Sequence, residues 1–144
     1  MFNFDTTGYV PSTAVEMGEY ELQIVALDIK EKDMGNGLVN KRFSILTRVV
    51  GADNAKDIFA MIPIPSMQDE KSTLNFKIGK VKEFEEAFGV TLNDLIGGIA
   101  DEGVVKNTMQ GYFVGKTARA FVTKKMNDQT NEMENNIARW LKVR

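Results

Sequence analysis

Hydrophobic and polar residues alternate through three stretches of the first 64 residues, fall into a helical rhythm, and then alternate again. In Glu19 to Ile29, Tyr20, Leu22, Ile24 and Ala26 share one phase and Glu21, Gln23 and Val25 the other, which predicts a first strand. The stretch KEKDMGNG joins charges to a Gly-Asn-Gly turn. Val39 to Val50 then sets Phe43, Ile45 and Thr47 against Arg42, Ser44, Leu46 and Arg48, so strands one and two are expected to form a hairpin. Lys56 to Ile64 reads as a third strand, with Ile58, Ala60 and Ile62 on one face and Phe59 and Met61 on the other, ended by Pro63 and Pro65.

Between Thr73 and Phe88 the period changes. Leu74, Ile78, Val81, Phe84 and Phe88 recur at steps of four and three, the stripe of an amphipathic helix, with Ser72 or Thr73 as its cap and Gly89 as its left-handed stop. Gly79 inside it suggests close packing against the sheet. TLNDLIGGIADEG is expected to add a helical turn before an irregular connection. Alternation returns from Lys116 to Lys125, with Ala118, Ala120 and Val122 opposite Thr117, Arg119, Phe121 and Thr123. After the polar loop MNDQTNEMEN a last strand, Asn136 to Val143, directs Ile137 and Leu141 inward and Trp140, Lys142 and Arg144 outward. Arg139 then falls on the inner phase, which implies a bulge or an open barrel end.

Three strands, a helix and two strands is the order of the OB-fold. The expected class is therefore mainly β: a five-stranded OB-fold-like Greek-key barrel with one amphipathic helix between strands 3 and 4, preceded by an N-terminal arm over residues 1–18, all in one domain of 144 residues. A chain of this length buries about two thirds of its unfolded surface around one core. No run approaches the ~18 apolar residues of a membrane span, and MFNFDTTGYV lacks a basic segment followed by an apolar one, so a cytoplasmic protein without membrane contact is expected. There are no cysteines and no histidines, which removes disulfides, thiolate nucleophiles, the usual general base and the usual zinc ligands. No enzyme activity, cofactor or metal is expected.

The net charge of −2 hides an asymmetry. Gly103 to Arg144 carries eight cations against three acids, whereas the preceding residues are strongly acidic. Cations gathered on one face attract a polyanion through the local field, because acids farther than the Debye length of ~10 Å are screened. In KTARAFVTKK, Lys116 and Lys124 flank the strand while Arg119, Phe121 and Lys125 project from the face opposite the alanines. Cations there can track phosphates and the ring can stack on a base; burial of Phe121 under the arm is the alternative. Trp140 beside Lys142 suits stacking or cation-π contact, or plain packing. Phe59, flanked by Arg42 and Arg48, has the makings of a stacking platform, with burial of this face beneath the N-terminal arm as the alternative. Lys30 and Lys32 in the first hairpin are offset by Glu31 and Asp33. Asp94, Asp101 and Glu102 lack the spacing of a metal site, the acids of KEFEEAF read as a solvated helix face, and GKT at 115–117 opens a strand where a phosphate loop would follow one.

Taken in order, FNFD, GEYELQI, the Gly-Asn-Gly hairpin with KRFSIL, KDIFAMI, IGKVKEFEEAFGV and GKTARAFV resemble a family of small phage-encoded proteins found among replication and recombination genes and regarded as single-stranded-DNA-binding OB-fold proteins. The resemblance runs through nearly the whole chain. It implies binding to exposed single strands with little sequence preference in an infected bacterial cell, beside phage replication or recombination proteins, with self-association left open. Many single-strand binders finish in an acidic tail that recruits other enzymes; this sequence ends WLKVR, which departs from that pattern and leaves open whether it is the core of a longer chain. The rival readings are an OB-like adaptor for a phage nuclease or recombinase and, behind it, a metal-dependent nuclease using Asp94, Asp101 and Glu102.

Overall fold

In a computed structural model, which describes residues 2–35 and 37–144, five strands form one antiparallel sheet. They are β1 (Gly18–Gly35), β2 (Leu38–Val49), β3 (Ile58–Pro63), β4 (Thr117–Asn127) and β5 (Glu132–Trp140), laid side by side in the order β3-β2-β1-β4-β5. The outer strands β3 and β5 approach each other without a connecting ladder, so the sheet curls into a barrel-like shape that hydrogen bonds do not close. This is compatible with an OB-like arrangement. Asn36, the middle residue of the expected Gly-Asn-Gly turn, lies outside the described residues.

Strand β1 is longer than its apolar pattern, and it changes partners along its length. Gly18 to Gln23 pair with β4, and the strand pairs with β2 from Leu22 onward. Val25 is an extra residue between the pairs Ile24↔Thr47 and Ala26↔Leu46, a bulge that resets the side-chain phase. Leu22, Ile24 and Leu27 are therefore buried, and Ala26, expected inside, is exposed. Among the described residues, no strand covers the β4 side of β1 beyond the bulge.

A helix covers it. Three helices follow β3: α1 (Lys71–Phe88), α2 (Leu92–Ile96), which is the expected helical turn, and α3 (Glu102–Phe113), which was not expected. The segment expected to be irregular is α3, started by Asp101, whose carboxylate accepts from the Val104 N–H. The Gln110 side chain donates to the Leu27 carbonyl at 2.8 Å, satisfying a backbone group that no strand reaches. Met109 and Phe113 are buried on the same helix face.

The core joins Leu22, Ile24, Phe43, Ile45, Ile58, Ile62, Ala118, Ala120 and Val122 from the sheet to Phe84, Met109 and Phe113 from the helices. On α1 the expected stripe holds for Val81, Phe84 and Phe88, but Ile78 is half-exposed and its neighbour Lys77 is buried instead. Helix α1 ends at Gly89, which takes the left-handed φ of 65°. Its start has no side-chain cap: Glu70 occupies that place, and Ser72 and Thr73 lie inside the helix. Gly79 has open space where a Cβ would stand, so close packing does not explain it. Two acids expected to be solvated accept backbone N–H groups instead, Glu83 from Trp140 at 2.7 Å and Glu85 from Leu92 at 2.6 Å. Among the described residues, no helix is long and apolar enough to cross a membrane.

The arm is fixed at its base. Thr13 bridges Ala55 in parallel, and Val15 exchanges two 2.8 Å hydrogen bonds with the side chain of Asn135.

Candidate nucleic-acid interface

Strand alternation determines which side chains leave the core, and on β2 and β3 it places them as expected. Ile58, Ala60 and Ile62 are buried, while Phe59 is 70 % exposed and Met61 is also exposed. In an antiparallel ladder directly paired residues share a face. Leu46 lies opposite Phe59, Ser44 opposite Met61, and Arg42 opposite Pro63. Arg48 is on the same face and holds Asp57 at 3.5 Å. Phe59 and Met61 thus form an apolar strip edged by Arg42 and Arg48, with no arm above it.

The strip continues onto the first hairpin. Because β1 stays paired out to Gly35, its charges separate by face. Lys30 is opposite Arg42 and Lys32 opposite Asn40 on the outer face; Glu31 and Asp33 fall on the other, beside Lys41 and Val39. Neighbours in a strand point apart, so Glu31 and Asp33 leave the outer face, where the acid that meets Lys30 is Asp28. Like charges directly opposite each other destabilise a sheet. Here Asp28 relieves the pair by approaching Lys30 at 3.3 Å, and Lys106 of α3 reaches Asp28 at 3.0 Å. Those lysines and the Ile29 N–H hold the Asp28 carboxyl at about 2, with the Lys106 hydrogen bond the largest cause. Among the described residues, the buried Nε of Arg42 has no hydrogen-bond partner, so that guanidinium is incompletely satisfied there.

The basic C-terminal third has a different character. Arg119 faces outward as expected, but it binds the Glu19 carboxylate and donates to the Lys142 carbonyl at 2.8 Å. Lys124 contacts Glu16 at 2.7 Å, and Arg144 is 3.6 Å from Glu19. Lys116 lies 4.4 Å from the centre of the Tyr112 ring. Lys125 and Lys142 are exposed. Much of the local excess of positive charge is thus answered by acids from the N-terminal segment, which sequence distance conceals.

Trp140 is a correction. A bulge does occur in β5, at Ala138, between the pairs Phe121↔Arg139 and Val122↔Ile137. Its effect is to turn Arg139 outward and Trp140 inward. Trp140 is 5 % exposed and meets Phe84 edge-on at 5.6 Å, so it is a core residue unable to stack on a ligand. Phe121 is half-buried, with the Arg139 guanidinium 5.3 Å from its ring centre.

The three candidate nuclease acids are dispersed. Asp94 is in the first turn of α2, Asp101 caps α3 and Glu102 pairs with Lys41 at 3.4 Å. Among the described residues, no three acids are grouped so as to hold a metal ion. No family model matches the chain, and no curated protein matches it.

Proposed function

We propose that this protein binds single-stranded DNA with little sequence preference, through the outer face of β2 and β3 and the adjoining hairpin, in phage replication or recombination. The observation that carries this reading is the exposed Phe59 ring between Arg42 and Arg48. A bare ring offers a stacking surface to any base, and the flanking guanidiniums are placed to meet the backbone. Arg42 to Arg48 spans about 20 Å along the strand, at ~3.3 Å per residue, which suits the lower part of the range of ~4–16 nucleotides for such folds. Lys30 and Lys32 prolong the basic edge. Arg48 and Lys30 also meet acids, Asp57 and Asp28, but they are more exposed than Arg119 and Lys124 of β4, which are paired with Glu19 and Glu16 and largely enclosed, and so contribute less.

The test is a titration with oligo(dT) and with duplex DNA at two salt concentrations. Single-strand binding should be the tighter, with a log-log salt slope of about −0.7 for each phosphate engaged. Equal affinity for both forms, or a flat salt response, contradicts the reading. The second reading, a protein adaptor, draws on the same exposed Phe59 and Met61 and expects no oligonucleotide binding at any salt.

A further inference from the structure

Lys30, Arg42 and Lys106 meet at one corner of the outer face, where β1 runs on beyond its pairing with β4. Lys30 is directly opposite Arg42 in the β1–β2 ladder. Lys106 reaches the same corner from α3, 3.0 Å from Asp28 Oδ1, while Lys30 lies 3.3 Å from Asp28 Oδ2. Among the described residues, Asp28 is the one acid within ion-pair distance of either lysine, and Arg42 has none. The residues across the sheet from Asp28, Ser44 and Met61, are uncharged. The corner therefore sets three cations against one carboxylate. We propose that Lys30, Arg42 and Lys106 together hold one backbone phosphate of the bound single strand, which leaves β2 and β3 at this corner and crosses β1 towards α3. The proposal rests on the single-strand reading above and adds to it a helix residue and a direction.

The corner suits a phosphate in charge and in donors. Like charges directly opposite each other destabilise a ladder, and one carboxylate leaves a positive excess that a phosphodiester anion reduces. Both lysine side chains are about half-exposed. An ammonium group has three N–H donors, so a contact with Asp28 leaves others for a ligand. Of Arg42 only Nε is enclosed, which fixes the base of the guanidinium and leaves its terminal nitrogens, a fork matched to phosphate oxygens, open to solvent. Asp28 stays ionised, and by meeting one lysine with each oxygen it positions the two ammonium groups beside Arg42. Leu46, the partner of Phe59, is four residues from Arg42, so the corner lies about 13 Å along the strands from the ring, at ~3.3 Å per residue. Stacking on Phe59 and the phosphate contact thus belong to different nucleotides of one strand.

Titration of the full chain with oligo(dT) at neutral pH tests the proposal, with circular dichroism melts showing that each variant is folded. Lys106→Met should weaken binding by about three- to tenfold, and Lys106→Arg should bind like the parent. Lys41→Met, which removes a cation from the opposite face, should leave binding nearly unchanged. Groups that hold one phosphate are coupled, whereas distant ones act independently. Added to Arg42→Ser, Lys106→Met should therefore cost much less than it does alone; added to Arg48→Ser, it should cost the same to within about twofold. Parental affinity in Lys106→Met, or an equal loss with and without Arg42, overturns the shared phosphate, and the single-strand reading then stands if binding still depends on Phe59 and Arg48. An intact chain that binds no oligo(dT) overturns both.

Discussion

Lys77 Nζ, on the buried side of α1, lies 2.9 Å from Asp69 Oδ1 in the loop after β3 and 3.0 Å from Asn40 Oδ1 on β2. Asp69 also accepts the Ser66 N–H at 2.8 Å, so one ammonium group ties loop, helix and sheet together. Removing one member of a buried pair leaves the other uncompensated. Lys77→Met should lower Tm by several degrees, and adding Asp69→Asn should recover part of the loss. Thermal melts of the two variants check this.

The carboxyls of Asp28 and Asp69 are both held below their ordinary value near 3.8, Asp28 at about 2 by Lys106 and Asp69 chiefly by the Lys77 hydrogen bond. A folded-state pKa lower than the unfolded one supplies stability that is fully present above the unfolded value and is lost as pH falls through the folded one. The urea midpoint should therefore hold from about pH 7 to about pH 5 and fall from about pH 4 towards pH 2. In Lys106→Met the acid fall should be shallower, because the carboxyl loses its largest stabilising partner.

Phe59 and Trp140 make opposite predictions under one measurement. Trp140 is the only tryptophan and is enclosed by Phe84 and Phe88, so its emission should be blue-shifted and unchanged by saturating oligo(dT). In Phe59→Trp a second, exposed indole should be quenched by the same oligonucleotide. Trp140→Ala should cost about 3–5 kcal/mol of stability. Phe59→Ala should cost about 1–3 kcal/mol of binding and almost nothing in Tm.

Replacing Arg42 and Arg48 with serine should weaken oligo(dT) binding and flatten the log-log salt slope by about 1.4, two phosphates at ~0.7 each. Replacing Lys116, Arg119, Lys124 and Lys125 together should act mainly on stability, by about 1–2 kcal/mol, because Arg119 and Lys124 join β4 to Glu19, Glu16 and the Lys142 carbonyl. If the fourfold variant melts like the parent and loses binding, the DNA path crosses β4.

The alternation of β2 and β3 was legible because both strands are regular: Phe43, Ile45, Ile58 and Ile62 are buried where the period puts them, and Phe59 is free. Two single-residue bulges account for most of the misplaced side chains. Val25 exposes Ala26 and buries Leu27; Ala138 exchanges the roles of Arg139 and Trp140. A bulge shifts every following side chain to the other face, so one unread residue reverses a whole strand end. Arg139 on an apolar phase is a visible sign of the second bulge, and the change of face it causes carries over to Trp140, the residue after it. Helix α3 escaped because Gly103 and Gly111, with the β-branched Val104, Val105 and Thr108, weaken its propensity. Its signal was the Val105, Met109, Tyr112 and Phe113 stripe behind a capping Asp101. The pairing of Arg119 with Glu19 joins residues a hundred positions apart and leaves no local trace.

The change of partners along β1 divides the molecule in time as well as in space. The β1–β2–β3 meander closes only short loops, whereas Gly18 must find Val122 and Val15 must find Asn135. Loop closure over about a hundred residues comes late and slowly compared with local pairing. During synthesis the surface bearing Phe59 can therefore assemble while β4 is still in the ribosome. The arm's contact with Ala55 can form with that surface, whereas its second tie, between Val15 and Asn135, must wait for β5.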